Sequence, residues 1–436
     1  MIRLIRSRLS GGLVDAGMAS IATFVTGLYV ILEWADTPEF IGVYAIFFAA
    51  FGMATTVTTQ LVFIPAEKVI LDLPAGIRRR LAPAISWRLL PVALACAALV
   101  VVVPSVMVLA TGEYDQLVLP LALTAFVVFV VSPIQDHLRR LFHLDQSAWQ
   151  AARVSIVQAV GSVLAVAVLH FTIDDPAWIA FGGLAVANIA STVYGLIGAR
   201  HSTRRVAVDE EVASRFFDDI AVRVLTRMGW WLGTAGALST GANLLVAGLI
   251  SAVAGEAALG YAEAARTLAQ PIVVVSMGLR SVYGPDSMRT ARLRDREGAA
   301  RVSKTFMVVL WPMTVLYAAI VGWDWAISPL PDLVPAAYFI PGLIAVSVVA
   351  NGFNGASFPL RLELVGADRE RALFMMDTLS NVVMVVVSVV FAWLGAGSLA
   401  LAAMARPAGM AALGLARWVS YRAAMVPHYR EKAASV

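Results

Sequence analysis

Cysteine is nearly absent: Cys96 is the single thiol in 436 residues. That excludes an intramolecular disulfide and a cysteine-rich metal site. Charge is scarce too. Asp, Glu, Lys and Arg make up 14% of the chain, 60% is hydrophobic, and the mean hydropathy is +0.79. No soluble globular class has that balance. Lysine is limited to Lys68, Lys304 and Lys432. The polar–apolar alternation of a membrane β-barrel is missing, because the apolar runs are continuous. A Walker-type phosphate loop is also missing, so the chain has no ATPase of its own. The five histidines, His137, His143, His170, His201 and His428, fall in loops or at the ends of apolar runs, without zinc spacing. No Ser–His–Asp set can be assembled. Neither an enzyme, nor a cofactor or metal, nor a nucleic-acid partner is expected.

What is present is an all-α polytopic membrane protein. About twelve apolar spans can be placed, at 11–33, 39–64, 84–110, 116–138, 147–170, 176–199, 228–253, 256–280, 304–327, 334–358, 372–394 and 397–421. The opening MIRLIRSRL is basic, and the run behind it is too long for a signal-peptide core, so it reads as an interfacial lead into the first span. Arginine and lysine gather at the termini and in 65–88, 136–153, 200–227, 280–304 and 361–371. The opposite turns hold acids such as Glu33, Asp36, Glu113, Asp174 and Asp332, and no base. Positive charge stays inside, so both termini are placed in the cytoplasm.

Internal symmetry is legible as well. Glu39-x4-Tyr44-Ala45 opens the second span and Glu256-x4-Tyr261-Ala262 the eighth, an offset of 217 residues, close to half the chain. The expected domains are a six-helix lobe at 1–199, a cytoplasmic linker at 200–227, a second six-helix lobe at 228–424 and a tail at 425–436. The linker repeats Val212, Phe216, Ile220 and Val224 every four residues, with Glu211–Arg215 and Asp219–Arg223 between them. That pattern makes an amphipathic surface helix. An even number of spans per half gives the halves the same orientation.

Polar residues inside the spans are the candidate site. Glu263, Arg266 and Gln270 share one face of the eighth span. Arg266 lies roughly 15 Å along it, near the bilayer midplane. An ionised group there costs about 2.5–3.5 kcal/mol and normally faces a partner or a watery cavity. Arg406, followed by Pro407, sits midway along the twelfth span, where the proline is placed to break the helix. Thr26 and Tyr29 share a face of the first span, and Asn243 is their counterpart in the seventh. Asp15, Glu33 and Asp377 are candidate ion-coupling carboxylates. The competing reading is packing. Thr, Asn and Gly at helical spacing pack helices, and that reading is preferred for Asn188, Asn351, Asn354 and Asn381. Glu263 and Arg266 alternatively form a structural pair.

The first two spans, with Glu39-Phe40-Ile41-Gly42-Val43-Tyr44-Ala45, resemble the opening of O-antigen-type polysaccharide flippases of the multidrug/oligosaccharidyl-lipid/polysaccharide (MOP) superfamily. The stretch 254–264, AGEAALGYAEA, resembles the same element at the start of the second lobe. The resemblance implies two six-helix lobes in a MATE-like V. It also implies a bacterial inner-membrane location and a cationic cavity for an undecaprenyl-diphosphate-linked oligosaccharide flipped to the outer leaflet. Its implied partners are the lipid-linked sugar, membrane lipids, and a glycan polymerase or glycosyltransferases. Arg266 matches the place of a cavity arginine in related flippases, while the first lobe departs from them in having no mid-membrane arginine. The rival readings are a cation-coupled drug exporter, a major-facilitator transporter and a non-transporting scaffold subunit of a glycan-assembly complex.

Overall fold

The computed structural model describes residues 2–34, 38–71, 73–110, 112, 114–201, 228–254, 258, 261–262, 265–266, 268–322, 340, 342–395 and 397–433. The regular elements among them are all helical. The chain divides into two compact units, Met1–Ala237 and Leu238–Val436. The expected linker helix lies outside the described residues apart from its edge at 200–201. Nine of the described helices are long and apolar enough to cross a membrane by length and composition, so this is a multi-pass membrane protein. Large apolar side chains point outward, Leu99, Phe171 and Trp393 being 74%, 84% and 69% exposed. Patches of that kind suit lipid and not water.

The first unit contains α1 (Ile2–Glu33), α2 (Pro38–Thr58), α3 (Ile64–Val69), α4 (Ala75–Leu109), α5 (Asp115–Leu144), α6 (Ala148–Thr172) and α7 (Pro176–His201). A π-helical turn, Thr59–Phe63, joins α2 to α3. It has an identifiable cause in Pro65, which has no N–H and crowds the preceding turn, so the helix widens there and continues. The second span therefore runs on to Val69 instead of stopping at 64. α6 packs along both α1 and α7, and α7 packs on α5. The core between α2, α5 and α7 is built from Phe47, Leu121, Phe129, Phe181 and Leu184.

α8 (Gly229–Ala254) crosses the division between the units. The second unit continues with α9 (Gln270–Arg292), α10 (Arg296–Val321), α11 (Leu343–Ala356), α12 (Phe358–Gly366), α13 (Glu370–Leu394), α14 (Leu399–Ala403) and α15 (Ala405–Ala433). Asp295 caps α10, accepting from the Gly298 N–H at 2.9 Å. α15 packs against both α13 and α11. Two glycines permit this approach. A Cβ at Gly409 would meet Ser388 Oγ and Met384 O at 2.0 and 3.0 Å, and one at Gly414 would meet Asn354 N at 2.5 Å.

The twelfth span is broken, and the break lies at Met404, three residues before Pro407. The proline lacks the N–H that would bind the carbonyl of Ala403, so its effect falls on the turn before it. Met404 N shares its proton between Ala400 O and Leu401 O at 3.3 and 3.2 Å, both long for a helical bond. A second interruption lies at Ala269, just before Gln270 and Pro271. The carbonyl of Leu268 is taken there by the hydroxyl of Tyr317 at 2.7 Å.

Candidate functional site

In the second unit these interruptions open onto a cavity of about 350 Å³. That volume falls in the range of small-molecule sites, roughly 300–1,000 Å³. Its wall holds Arg266 and Gln270 beside the start of α9, and Arg406, Pro407 and Met410 at the start of α15. Asn243 contributes from α8, and Ser347, Ala350, Asn351 and Asn354 form one face of α11. Glu263, expected beside Arg266, lies outside the described residues. The described lining thus carries two guanidiniums, four amides and a hydroxyl, and no carboxylate.

The local folding explains the charge placement. α9 and α15 both begin at the cavity with a proline in the first turn, where the missing N–H costs nothing. Each interruption has an arginine on the same wall, and two guanidiniums on one wall favour an anion. The Ser347 hydroxyl is buried and has no hydrogen-bond partner among the described residues. A buried polar atom of that kind is unfavourable unless something else meets it.

Beneath this wall lies an ion-pair cluster. Arg417 Nε stands 2.9 Å from Asp377 Oδ1, and Arg361 Nη2 stands 3.4 Å from Asp377 Oδ2. The Tyr421 hydroxyl donates to the same carboxylate. Arg417 also donates to Asn354 Oδ1 at 3.1 Å and to Ser239 Oγ at 3.0 Å. Asn381 donates to that same serine at 3.1 Å. Asp377, a candidate for ion coupling, is thus surrounded by fixed protein cations. Arg417 was missed by sequence reasoning because it stands near the end of its span, where a charge is cheap.

The other candidates belong to the first unit and do not line this cavity. Thr26 is fully buried, its hydroxyl bonded to Ala22 O at 3.2 Å within its own helix. Tyr29 packs edge-on against His170 at 5.9 Å, and Glu33 is exposed 4.0 Å from that histidine. Asp15 is enclosed by Arg139 Nε at 2.8 Å, His143 Nε2 at 2.9 Å and Ser155 Oγ at 2.6 Å. Glu67, expected in a loop, is buried and held by His137 and Arg140 at 2.9 and 2.7 Å. Asp145 pairs with Arg78 and Arg79 at 2.7 and 2.5 Å. The end of α5 thus gathers carboxylates from α1 and α3. Asn188, read as packing, takes the Gln158 amide at 2.6 Å inside the helix bundle. Asn351 and Asn354, also read as packing, face the cavity. Among the described residues no three His, Cys, Asp or Glu side chains are arranged to hold a metal ion.

No curated protein sequence matches the chain. Over nearly its full length it superposes on an outward-facing multidrug resistance MATE transporter of the MOP superfamily. The TM-score is 0.70 at 12% identity, covering 97% of this chain and 96% of the other. A Vibrio cholerae MATE transporter, VcmN, gives 0.63 at 14% identity, with 98% and 97% covered. A MOP-superfamily transporter from Pyrococcus furiosus, described as having a binding pocket of reverse polarity that suggests a different function, gives 0.61 at 13% identity, with 97% and 95% covered. These likenesses establish the fold. The model of the family described as "Polysaccharide biosynthesis protein" matches residues 37–283, more than half of the chain. The chain belongs to the polysaccharide biosynthesis protein family and has the fold of the MOP-superfamily transporters.

Proposed function

We propose that this protein is a flippase. It carries a lipid-diphosphate-linked oligosaccharide, with undecaprenol as the expected lipid, from the cytoplasmic to the outer leaflet of a bacterial inner membrane for surface polysaccharide synthesis. The observation that carries this reading is the cavity wall: Arg266 and Arg406 beside two helix starts, amides around them, and no carboxylate among the described lining residues. A diphosphate-sugar head group is anionic and studded with hydroxyls, so it cannot cross hydrocarbon unaided. Guanidiniums meet the phosphates through paired hydrogen bonds, amides meet the hydroxyls, and the lipid tail stays in the bilayer. Alternating exposure of the cavity to the two sides then completes transfer.

A cation-coupled drug exporter wants the opposite polarity, a carboxylate facing its cargo. Asp15 and Asp377 are each enclosed by protein cations, which argues against that role for them. The experiment is lipid-linked sugar export in a strain that depends on this protein, with membrane protein levels matched. Arg266→Ala is expected to abolish export and Arg406→Ala to impair it. Normal export by Arg266→Ala would make these arginines helix glue and remove the basis for the reading.

A further inference from the structure

Three of the four amides of the cavity wall, Asn243, Asn351 and Asn354, are not interchangeable, because each is committed on one side. Arginine has donors only, so the Asn354 atom facing Arg417 is its oxygen. The Asn354 amino group is left for the cavity. A backbone carbonyl is an acceptor only, so Asn243 and Asn351 are turned with their amino groups toward Ser239 O and Ser347 O, each giving one of its two N–H donors at 2.9 Å. Their oxygens are left for the cavity. The wall therefore has a donor side, formed by Arg266, Arg406 and Asn354, and an acceptor side, formed by Asn243 and Asn351.

We infer that Arg417 is a positioning residue that fixes the polarity of Asn354, so that the cavity reads a phosphate with sugar hydroxyls beside it. This rests on the proposed function and deepens it. The clamp is built for holding an orientation. Arg417 is buried and touches α13 through Asp377, α11 through Asn354 and α8 through Ser239. Gly414, three residues earlier on α15, allows the backbone approach that brings Arg417 within reach of α11. Ser239 links the two sides, since its hydroxyl receives Arg417 and its carbonyl receives Asn243. A free Asn354 amide would turn either face to the ligand. The clamped one shows only donors, which attract an anion and ignore a neutral donor.

The test is binding of inorganic diphosphate, inorganic phosphate and glucose 1-phosphate to the purified full chain, with thermal midpoints as a folding control. Asn354→Asp keeps the shape and the Arg417 contact but puts an acceptor on the donor side. Its diphosphate affinity is expected to fall about tenfold or more, the scale of a hydrogen bond to a charged group. The paired change Asp377→Leu with Arg417→Met removes the clamp and its carboxylate together, so neither of these two is left buried without the other, and Arg361 loses only its longer contact at 3.4 Å. Its expected loss is about three- to tenfold, with the wild-type preference for glucose 1-phosphate over inorganic phosphate retained, because the acceptor side is intact. General collapse of the wall would erase that preference too and contradict the inference. So would wild-type diphosphate affinity in Asn354→Asp, the arm that decides if the paired variant does not fold. If Arg266→Ala weakens diphosphate while Asn354→Asp does not, the positioning role fails and the flippase reading stands. If the wild type binds no diphosphate, both fall.

Discussion

Arg266→Lys keeps a charge in the cavity but loses the flat fork that holds two phosphate oxygens at once. Export in the dependent strain should therefore be partial, between wild type and Arg266→Ala. Asp377→Leu alone should be severe for a different reason. It leaves Arg417 buried without its carboxylate, and breaking one side of a buried pair costs about 3–5 kcal/mol. A drop in the thermal midpoint of the purified protein, relieved by adding Arg417→Met, is the expected result. Thr26→Val should cost about 1 kcal/mol or less, since its hydroxyl only returns to its own helix. At this scale the legible residues were those whose chemistry is expensive in lipid. Arg266 and Arg406 declare themselves inside apolar runs. Asn351, Asn354 and Ser347 do not, because small polar residues at helical spacing serve a cavity wall and a packing face equally well. Asp15 was legible as an acid within the first span, but its enclosure by Arg139, His143 and Ser155 depends on which helices meet, which spacing within one span does not state.

The helices repeat this division between position and detail. Apolar run length found the nine spans that described helices are long and apolar enough to make, since hydrocarbon thickness sets it. The ends moved outward where the helix continues beyond the apolar stretch, as in α4 and α5, which begin at Ala75 and end at Leu144. The break in the twelfth span was readable from Pro407, but it lies at Met404, because a proline disrupts the turn that precedes it. Pro407→Ala restores an N–H for Ala403 O, so α14 and α15 should join into one helix. Continuous protection of amides across 403–408 in hydrogen exchange would show the join. Export is expected to fall with it, because Arg406 would turn away from its place at a helix start. A joined helix with full export would mean that the break does not serve the cavity.

At the scale of the whole molecule, charge asymmetry makes the firmest claim about sidedness. In a Cys96→Ser background, cysteine at Asp115 or Asp174, both exposed, should react with an impermeant thiol reagent in intact cells. Cysteine at Arg292, also exposed, should react only after the cells are opened. The reverse pattern would invert the topology. The Glu-x4-Tyr-Ala motif leads to an expectation of matched halves, whereas the charges of the two units differ. The cavity with its two arginines belongs to the second unit, while the first invests its charges in closed pairs at the end of α5. We propose that these two arginines pass an anionic head group across the membrane. The most direct measurement is in liposomes holding the purified chain and a fluorescent diphosphate-linked sugar lipid, following the lipid's arrival at the opposite leaflet by quenching from outside. The wild-type chain should speed that arrival well above empty liposomes, and the Arg266→Ala/Arg406→Ala double variant, folded and inserted to the same level, should not. A double variant that moves the lipid at the wild-type rate would contradict the account.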